Sequence, residues 1–353
     1  MGIEPQDLLN AAHKAAAWLV AHQTEQGNYV GREPPTADGT YPDADDLGCY
    51  YKSFYSLRVA GESVGAARGL KYVIRRFMTP GGDFVNSATE RTKGSYTPLF
   101  SQLYPNTWIT RAFVLMGWFD CARKAWDCLL KYRDPETGGF LATVTPKTNI
   151  IDSNVTGVGG VLCGLMMGDV DKAIQSGDFL LRMIEAQPEA KRMYTRWELG
   201  KGLATDVSGV DEKVLIYHYI DAEKPKQAYW PWAMPMANLA LLYQHTGKKR
   251  FLDGAMRAYE FLCSCHPHAF SWTTSGKSGW GSAILYRLTG DPRCKKTALM
   301  EMEFILSLQQ PEGAMLFPGT ESIEAQATRT TYDLTGEYTA WLTDTAAELM
   351  MKG

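Results

Sequence analysis

The sequence lacks several features that would narrow its function at once. No segment approaches the run of about 20 apolar residues that a membrane-spanning helix requires, so no span is expected. A formal net charge of −3 leaves no basic surface for nucleic acid or an anionic membrane, and neither partner is expected. The opening stretch MGIEPQDLLNAAHK has no basic start followed by an apolar run, which argues against a secretory signal and for a cytoplasmic chain.

Cysteine is equally uninformative as a framework. Cys49, Cys121, Cys128, Cys163, Cys263, Cys265 and Cys294 are odd in number and lie mostly in apolar helical stretches, as reduced buried thiols do. Cys263, Cys265, His266 and His268 crowd one short turn, where neighbouring ligands rarely reach a single tetrahedral centre, so no metal is expected. His13, His22, His218 and His245 show no partnered Ser or Cys arrangement, which leaves a nucleophilic triad without support. No Walker or G-x-G-x-x-G pattern opens a helix after a strand, and no cofactor is expected. The expected partner is a small-molecule substrate; nothing indicates an oligomeric state.

What the chain has is a weak repeat. An amphipathic helix ending in a turn and an aromatic recurs six times, landing on Tyr29, Phe84, Phe140, Tyr194, Phe270 and Phe317. The first four landings are roughly 55 residues apart, enough for two helices and two loops per unit. Between them lies a second helix type, for example LGCYYKSFYSLRVAGE and NVTGVGGVLCGLMMGD, rich in small residues and apolar all round. Such helices are buried, and Gly157, Gly159 and Gly160 within one of them permit close packing. The first type carries charge on one face (Lys71, Arg75 and Arg76; Arg123 and Lys131; Lys295, Lys296, Glu301 and Glu303) and forms an outer ring.

An outer helix, a Q…G-aromatic turn and an inner helix opening on acidic or hydroxyl residues resemble the (α/α)6 toroids. That group includes terpenoid cyclases and prenyltransferases, and six-hairpin sugar enzymes such as epimerases and unsaturated uronyl hydrolases. The fold the resemblance implies is all-α, a single (α/α)6 toroid over residues 1–353. A small β-like insertion at 195–228, containing KVLIYHYIDA, is a candidate lid or rim. Two local matches point to different chemistries. Asp43-Ala44-Asp45-Asp46 looks like the D-x-D-D motif of class II terpene cyclases, which would make Asp45 the proton donor, although Leu47-Gly48 follows where that motif has Thr-Ala. Asn149-Ile150-Ile151-Asp152-Ser153-Asn154 looks like the segment of the uronyl hydrolases that holds their acid/base aspartate, here Asp152.

Counting back equally from Gly61, Gly168 and Gly290 reaches Asp45, Asp152 and Thr274, which places two carboxylates at equivalent ring positions at the cavity mouth. An acid and a base across a bound substrate need that arrangement. Asp is also the expected helix N-cap, so repeat symmetry alone accounts for the equivalence. The catalytic candidates are Asp45, Asp152 and Asp46. The substrate-binding candidates are Tyr50, Asn106, Trp108, Asn154, Trp232, Lys277, Trp280, Asp333 and Glu337, with Tyr51, Trp230 and Trp272 on the same rim. The first expectation for function is a cofactor-independent isomerase or cyclase acting on a small, largely apolar metabolite of the terpenoid or polyketide kind. The alternatives are a carbohydrate-active enzyme, hydrolase or epimerase, using the same two aspartates, and a non-catalytic binding toroid.

Overall fold

Twelve helices alternate between two concentric layers among the described residues, which in this computed structural model are 2–31, 44–86, 103–143, 147–273 and 276–351. The outer helices are Pro5–Ala21, Ser63–Phe77, Phe119–Leu130, Val170–Glu185, Lys249–Ser264 and Pro292–Ser307. The inner helices are Ser53–Val59, Tyr104–Leu115, a continuous run (Ser153–Val155, Thr156–Cys163, Gly164–Met166), Trp230–Thr246, Gly276–Thr289 and Thr328–Met350. Each inner helix packs on the next, and the sixth packs on the first, so the inner ring closes. The fold is the all-α (α/α)6 toroid.

The second to fifth outer helices are strongly amphipathic and the fourth and fifth inner ones nearly uniform, as the composition of the two helix types requires. Five inner helices run directly into the following outer helix through a glycine with positive φ (Gly61, Gly117, Gly168, Gly247, Gly290). The sixth inner helix has no such neighbour and packs instead on the first outer helix, Pro5–Ala21. One residue on the charged outer face is misplaced by the sequence pattern: Glu301 is fully buried, its Cβ against the bare backbone of Gly279.

The repeated turn has a physical explanation. After four of the outer helices the chain folds back on itself in a single antiparallel bridge, Gln23 with Tyr29, Met78 with Phe84, Arg133 with Phe140 and Gln309 with Met315. The glycine inside the turn presses its backbone onto the next outer helix. At Gly27 (φ 95°) a Cβ would overlap the Arg68 carbonyl, and at Gly313 (φ 115°) the Lys14 carbonyl. The side chain opening the turn repeats as well. Gln23 Nε2 donates to the carbonyls of Gly65 (3.2 Å) and Gly27 (3.3 Å), and Gln309 Nε2 to those of Ala11 (2.8 Å) and Gly313 (3.3 Å). The last of these turns therefore joins the end of the ring to its beginning. Its landing residue is the buried Met315; Phe317, chosen by the aromatic pattern, is 41% exposed.

The two turns without that glycine sit where the irregular segment is. Arg192–Tyr194 pairs antiparallel with Tyr219–Asp221, and Phe140–Leu141, Ile150–Asp152, Arg196–Glu198 and Gly202–Leu203 form a four-stranded antiparallel sheet in that order. The alternation in KVLIYHYIDA therefore makes a strand only in its second half, because Glu212–Tyr217 is a 3-10 turn. The sheet register puts Arg196 directly opposite Asp152.

Replacing Gly313 by Ala is expected to destabilise the protein by about 3 kcal/mol, combining positive φ with a clash against unyielding backbone. Gly61→Ala, with φ 92° but open space around it, is expected to cost about 1 kcal/mol. Denaturant unfolding of both variants checks the difference, and equal losses would remove the carbonyl contact from the account.

Candidate active site

Charge concentrates in the inner ring on the side where the inner helices begin. Lys52 immediately precedes the first inner helix, Lys277 lies in the first turn of the fifth, and Asp333 and Glu337 are one turn apart on the sixth. Glu337 accepts from both lysines, and its Oε1 also accepts from Trp341 Nε1 at 3.0 Å. Lys52 Nζ additionally pairs with Asp333 Oδ1 at 3.0 Å. Aromatic rings wall the group: the Lys52 ammonium lies 4.9 Å from the Tyr51 ring, and Lys277 lies 5.7 Å from Trp341 and 5.9 Å from Trp230. Trp341 in turn contacts Trp108 and Trp280, each at 5.3 Å between ring centroids.

The electrostatics are those of a closed ion cluster. Burial alone would raise the Glu337 carboxyl, but the adjacent Lys277 and Lys52 ammoniums overcome it and hold the group down at about 2. Burial alone would lower Lys52, and the Asp333 and Glu337 carboxylates more than reverse that, pushing it above the usual lysine value. Glu337 therefore stays ionised and Lys52 stays cationic across the physiological range. A fixed ammonium of this kind stabilises negative charge that develops on a substrate oxygen, whereas Glu337 is in no state to donate a proton.

A second polar group joins the third inner helix to the irregular segment. Asp152 is the N-cap of that helix: its Oδ1 accepts from the Val155 backbone at 2.8 Å, while Oδ2 pairs with Arg196 Nη1 at 3.1 Å. Arg196 Nε donates to the Tyr217 carbonyl at 3.2 Å, and the Thr195 backbone donates to the His218 carbonyl at 2.9 Å, which brings His218 beside the pair. Burial, reinforced by the Arg196 charge and opposed by Asp152, pulls the His218 imidazole down to about 4 and leaves it neutral at pH 7.

The sequence candidates separate into those that face these groups and those that do not. Lys277, Asp333 and Glu337 form the axial cluster, Trp280 and Trp108 flank it, and Asp152 and Asn154 open the third inner helix. Asn106, fully buried on the second inner helix, donates from Nδ2 to Asp83 Oδ1 at 2.7 Å. Tyr50 turns outward into hairpin packing, its ring stacked 5.3 Å from Tyr29 and its hydroxyl bonded to the Ala44 carbonyl. Trp232 is likewise structural, donating to the Tyr194 carbonyl at 3.1 Å from a fully buried position. Asp45 is 60% exposed and bound to Arg76 of the second outer helix, with oxygen–nitrogen distances of 2.7 and 2.8 Å. Asp46 caps the 3-10 turn Leu47–Cys49 by accepting from Gly48 at 2.7 Å. Asp43 and Thr274 lie outside the described residues.

The cap equivalent to Asp152 is thus Asp46, one residue away from the glycine count. The third inner helix contains a π-type stretch over Thr156–Cys163 and the first begins with a separate 3-10 turn, so a count made in α-helical register does not transfer between them. Lys52 and Arg196 are not among the sequence candidates. The signal for Lys52 was the one that exposed Lys277, a lone cation in an otherwise apolar inner stretch. Arg196 carries no such mark, because only the strand register brings it to Asp152.

No protein-family model matches the chain, and no curated protein matches it in sequence. Solved structures do match over nearly their full length. A D-mannose isomerase superposes with a TM-score of 0.71 at 13% identity, covering 99% of this chain and 98% of that one. A family 76 glycoside hydrolase (mannosidase) from Bacteroides thetaiotaomicron VPI-5482 gives 0.62 at 15% identity, with 96% and 98% covered. An unsaturated glucuronyl hydrolase from Bacillus sp. GL1 gives 0.60 at 11% identity, with 98% and 96% covered. At these identities the likeness establishes the toroid fold. The expectation of an isomerase or cyclase for an apolar, terpenoid-like metabolite is corrected here. These neighbours are sugar enzymes, and the ring centre holds two lysines and two carboxylates, an environment that an apolar substrate would desolvate without compensation.

Glu337→Gln is expected to destabilise the protein at neutral pH by about 3–5 kcal/mol, because it strips a buried charge from two lysines. The folded value of about 2 lies below the reference of 4.5, so this stabilisation is present above pH 4.5 and disappears as the pH falls towards 2. Denaturant unfolding of both proteins at stepped pH checks this: the gap narrows across that window, and a constant gap would refute the ion cluster.

Proposed function

We propose that the chain is an enzyme acting on a carbohydrate, and that its reaction is proton transfer next to a sugar carbonyl, as in aldose–ketose isomerisation or epimerisation. The observation that carries this reading is the ionised Glu337 held between Lys52 and Lys277. Glycoside cleavage requires a protonated carboxyl poised on the leaving oxygen, and Glu337 is kept from that state. Enediolate formation requires the reverse, a fixed cation for the oxygen and a neutral base for the carbon-bound proton. Lys277 and Lys52 suit the first role. His218, neutral above its lowered value of about 4, suits the second. The segment 195–228 that carries it then serves as the rim of the site.

Hydrolysis is the second reading, favoured by Asp152. It is a buried carboxylate at the head of the third inner helix, where the uronyl-hydrolase-like segment implied an acid/base aspartate.

Incubation with neutral hexoses in D2O separates the two readings: isomerisation or epimerisation incorporates deuterium at the carbon next to the carbonyl, and glycoside cleavage does not. Lys277→Met and His218→Asn are expected to lower kcat by about 10²-fold, and Asp45→Asn to leave it within about threefold. Activity should fall as the pH drops through about 4, where His218 gains its proton. Undiminished turnover in both Lys277→Met and His218→Asn would overturn the assignment.

A further inference from the structure

His218 and the axial cluster come from different elements, and aromatic contacts connect them. The ring of Tyr217 lies 5.6 Å from that of Trp230, the first residue of the fourth inner helix. The Trp230 ring lies in turn 5.9 Å from Lys277 Nζ. His218 follows Tyr217 directly, so whatever holds Tyr217 sets where the imidazole stands relative to the lysine.

Tyr217 is held by its backbone. Its carbonyl accepts from Arg196 Nε at 3.2 Å and from Thr195 Oγ1 at 2.6 Å, and the next carbonyl, that of His218, accepts from the Thr195 backbone at 2.9 Å. The far side of the same guanidinium reaches the inner ring, with Nη1 3.1 Å from Asp152 Oδ2. Asp152 is fixed as the cap of the third inner helix, and the Ser153 backbone donates to the Thr195 carbonyl at 3.0 Å. Arg196 is only 7% exposed. Its planar fork holds two acceptors in a fixed relation, which an ammonium on a flexible stem does not.

The charge matters as well as the shape. Besides burial, the groups that bear on the His218 imidazole are Arg196, from its strand, and Asp152, from the head of the third inner helix. Arg196 opposes protonation more strongly than Asp152 favours it.

We propose that Arg196 is a positioning residue for the reaction: it anchors Tyr217 and His218 to the head of the third inner helix and so sets the imidazole against Lys277. The inference rests on the reading of His218 as the base and adds the residue through which that base is placed.

The test follows the His218 imidazole by NMR titration, assigned against His218→Asn, alongside deuterium exchange into neutral hexoses. The variants are Arg196→Met, Arg196→Lys and the double variant Arg196→Met/Asp152→Asn, which leaves neither partner of the buried pair stranded. Arg196→Met and the double variant are expected to raise the His218 midpoint from about 4 by about one pH unit, and the acid limb of kcat to move with it. Arg196→Lys keeps the charge, so the midpoint stays while kcat falls at least about tenfold and KM changes less than about threefold. A midpoint unmoved in both Arg196→Met and the double variant, or an Arg196→Lys enzyme as active as the wild type, would overturn the inference and leave the proton-transfer reading intact. A midpoint that rises while the acid limb stays in place would remove His218 as the base and take both down. Absence of exchange by the wild-type protein would do the same.

Discussion

One buried carboxylate, Glu337, holds the centre of this molecule together. It bonds Lys52 at the head of the first inner helix and Lys277 on the fifth, and it sits on the sixth. Taking three ions out of water is expensive, and the cluster is tolerated because each charge meets an opposite one and the Trp341 indole satisfies a further lone pair. The same arrangement pins three staves of the inner ring together and leaves Asp333 as the accessible edge. Shape and chemistry therefore have a common origin. Apolar side chains at these positions would pack the ring at least as well, so stability alone does not account for the cluster.

Much of the architecture was legible from residue patterns, because repeat architectures write the same instruction several times. The two helix types, the glycine ends of the inner helices and the outer-to-inner turns all recur. Errors arose where one copy departs from the rest. The aromatic pattern points to Phe317 as a landing residue, whereas the register places Met315 there. The charges of Pro292–Ser307 suggest a solvent face that includes Glu301, yet Glu301 lies on the buried side.

The site was less legible, for physical reasons. Asp152, Asn154, Lys277, Asp333 and Glu337 stand out as polar residues in apolar surroundings; the first two open the third inner helix and the other three meet in the axial cluster. Asp45 and Asp46 stand out equally in the sequence, but a one-residue shift of register decides whether such a carboxylate caps a turn, faces the axis or reaches an outer arginine. The pairing of Arg196 with Asp152 depends on strand register across residues more than forty positions apart. Nor does the toroid itself choose the reaction, since its neighbours include both an isomerase and hydrolases. The choice lies in which protons the side chains hold.

The seam between the first outer helix and the sixth inner helix has a kinetic consequence. In every other pair the two helices are joined by a short turn and can meet as soon as both exist. Pro5–Ala21 finds its main partner in Thr328–Met350, more than 300 residues away. Contacts so distant in sequence form slowly, since the loop between them must first be ordered. During synthesis, which proceeds at about 5–20 residues per second, Pro5–Ala21 emerges more than 300 residues before the helix that covers it. Its apolar face, with Leu8, Ala12, Trp18 and Leu19, lacks that cover until Thr328–Met350 is made. The seam that completes the ring is thus also the interval in which the nascent chain is most open to aggregation or to a chaperone.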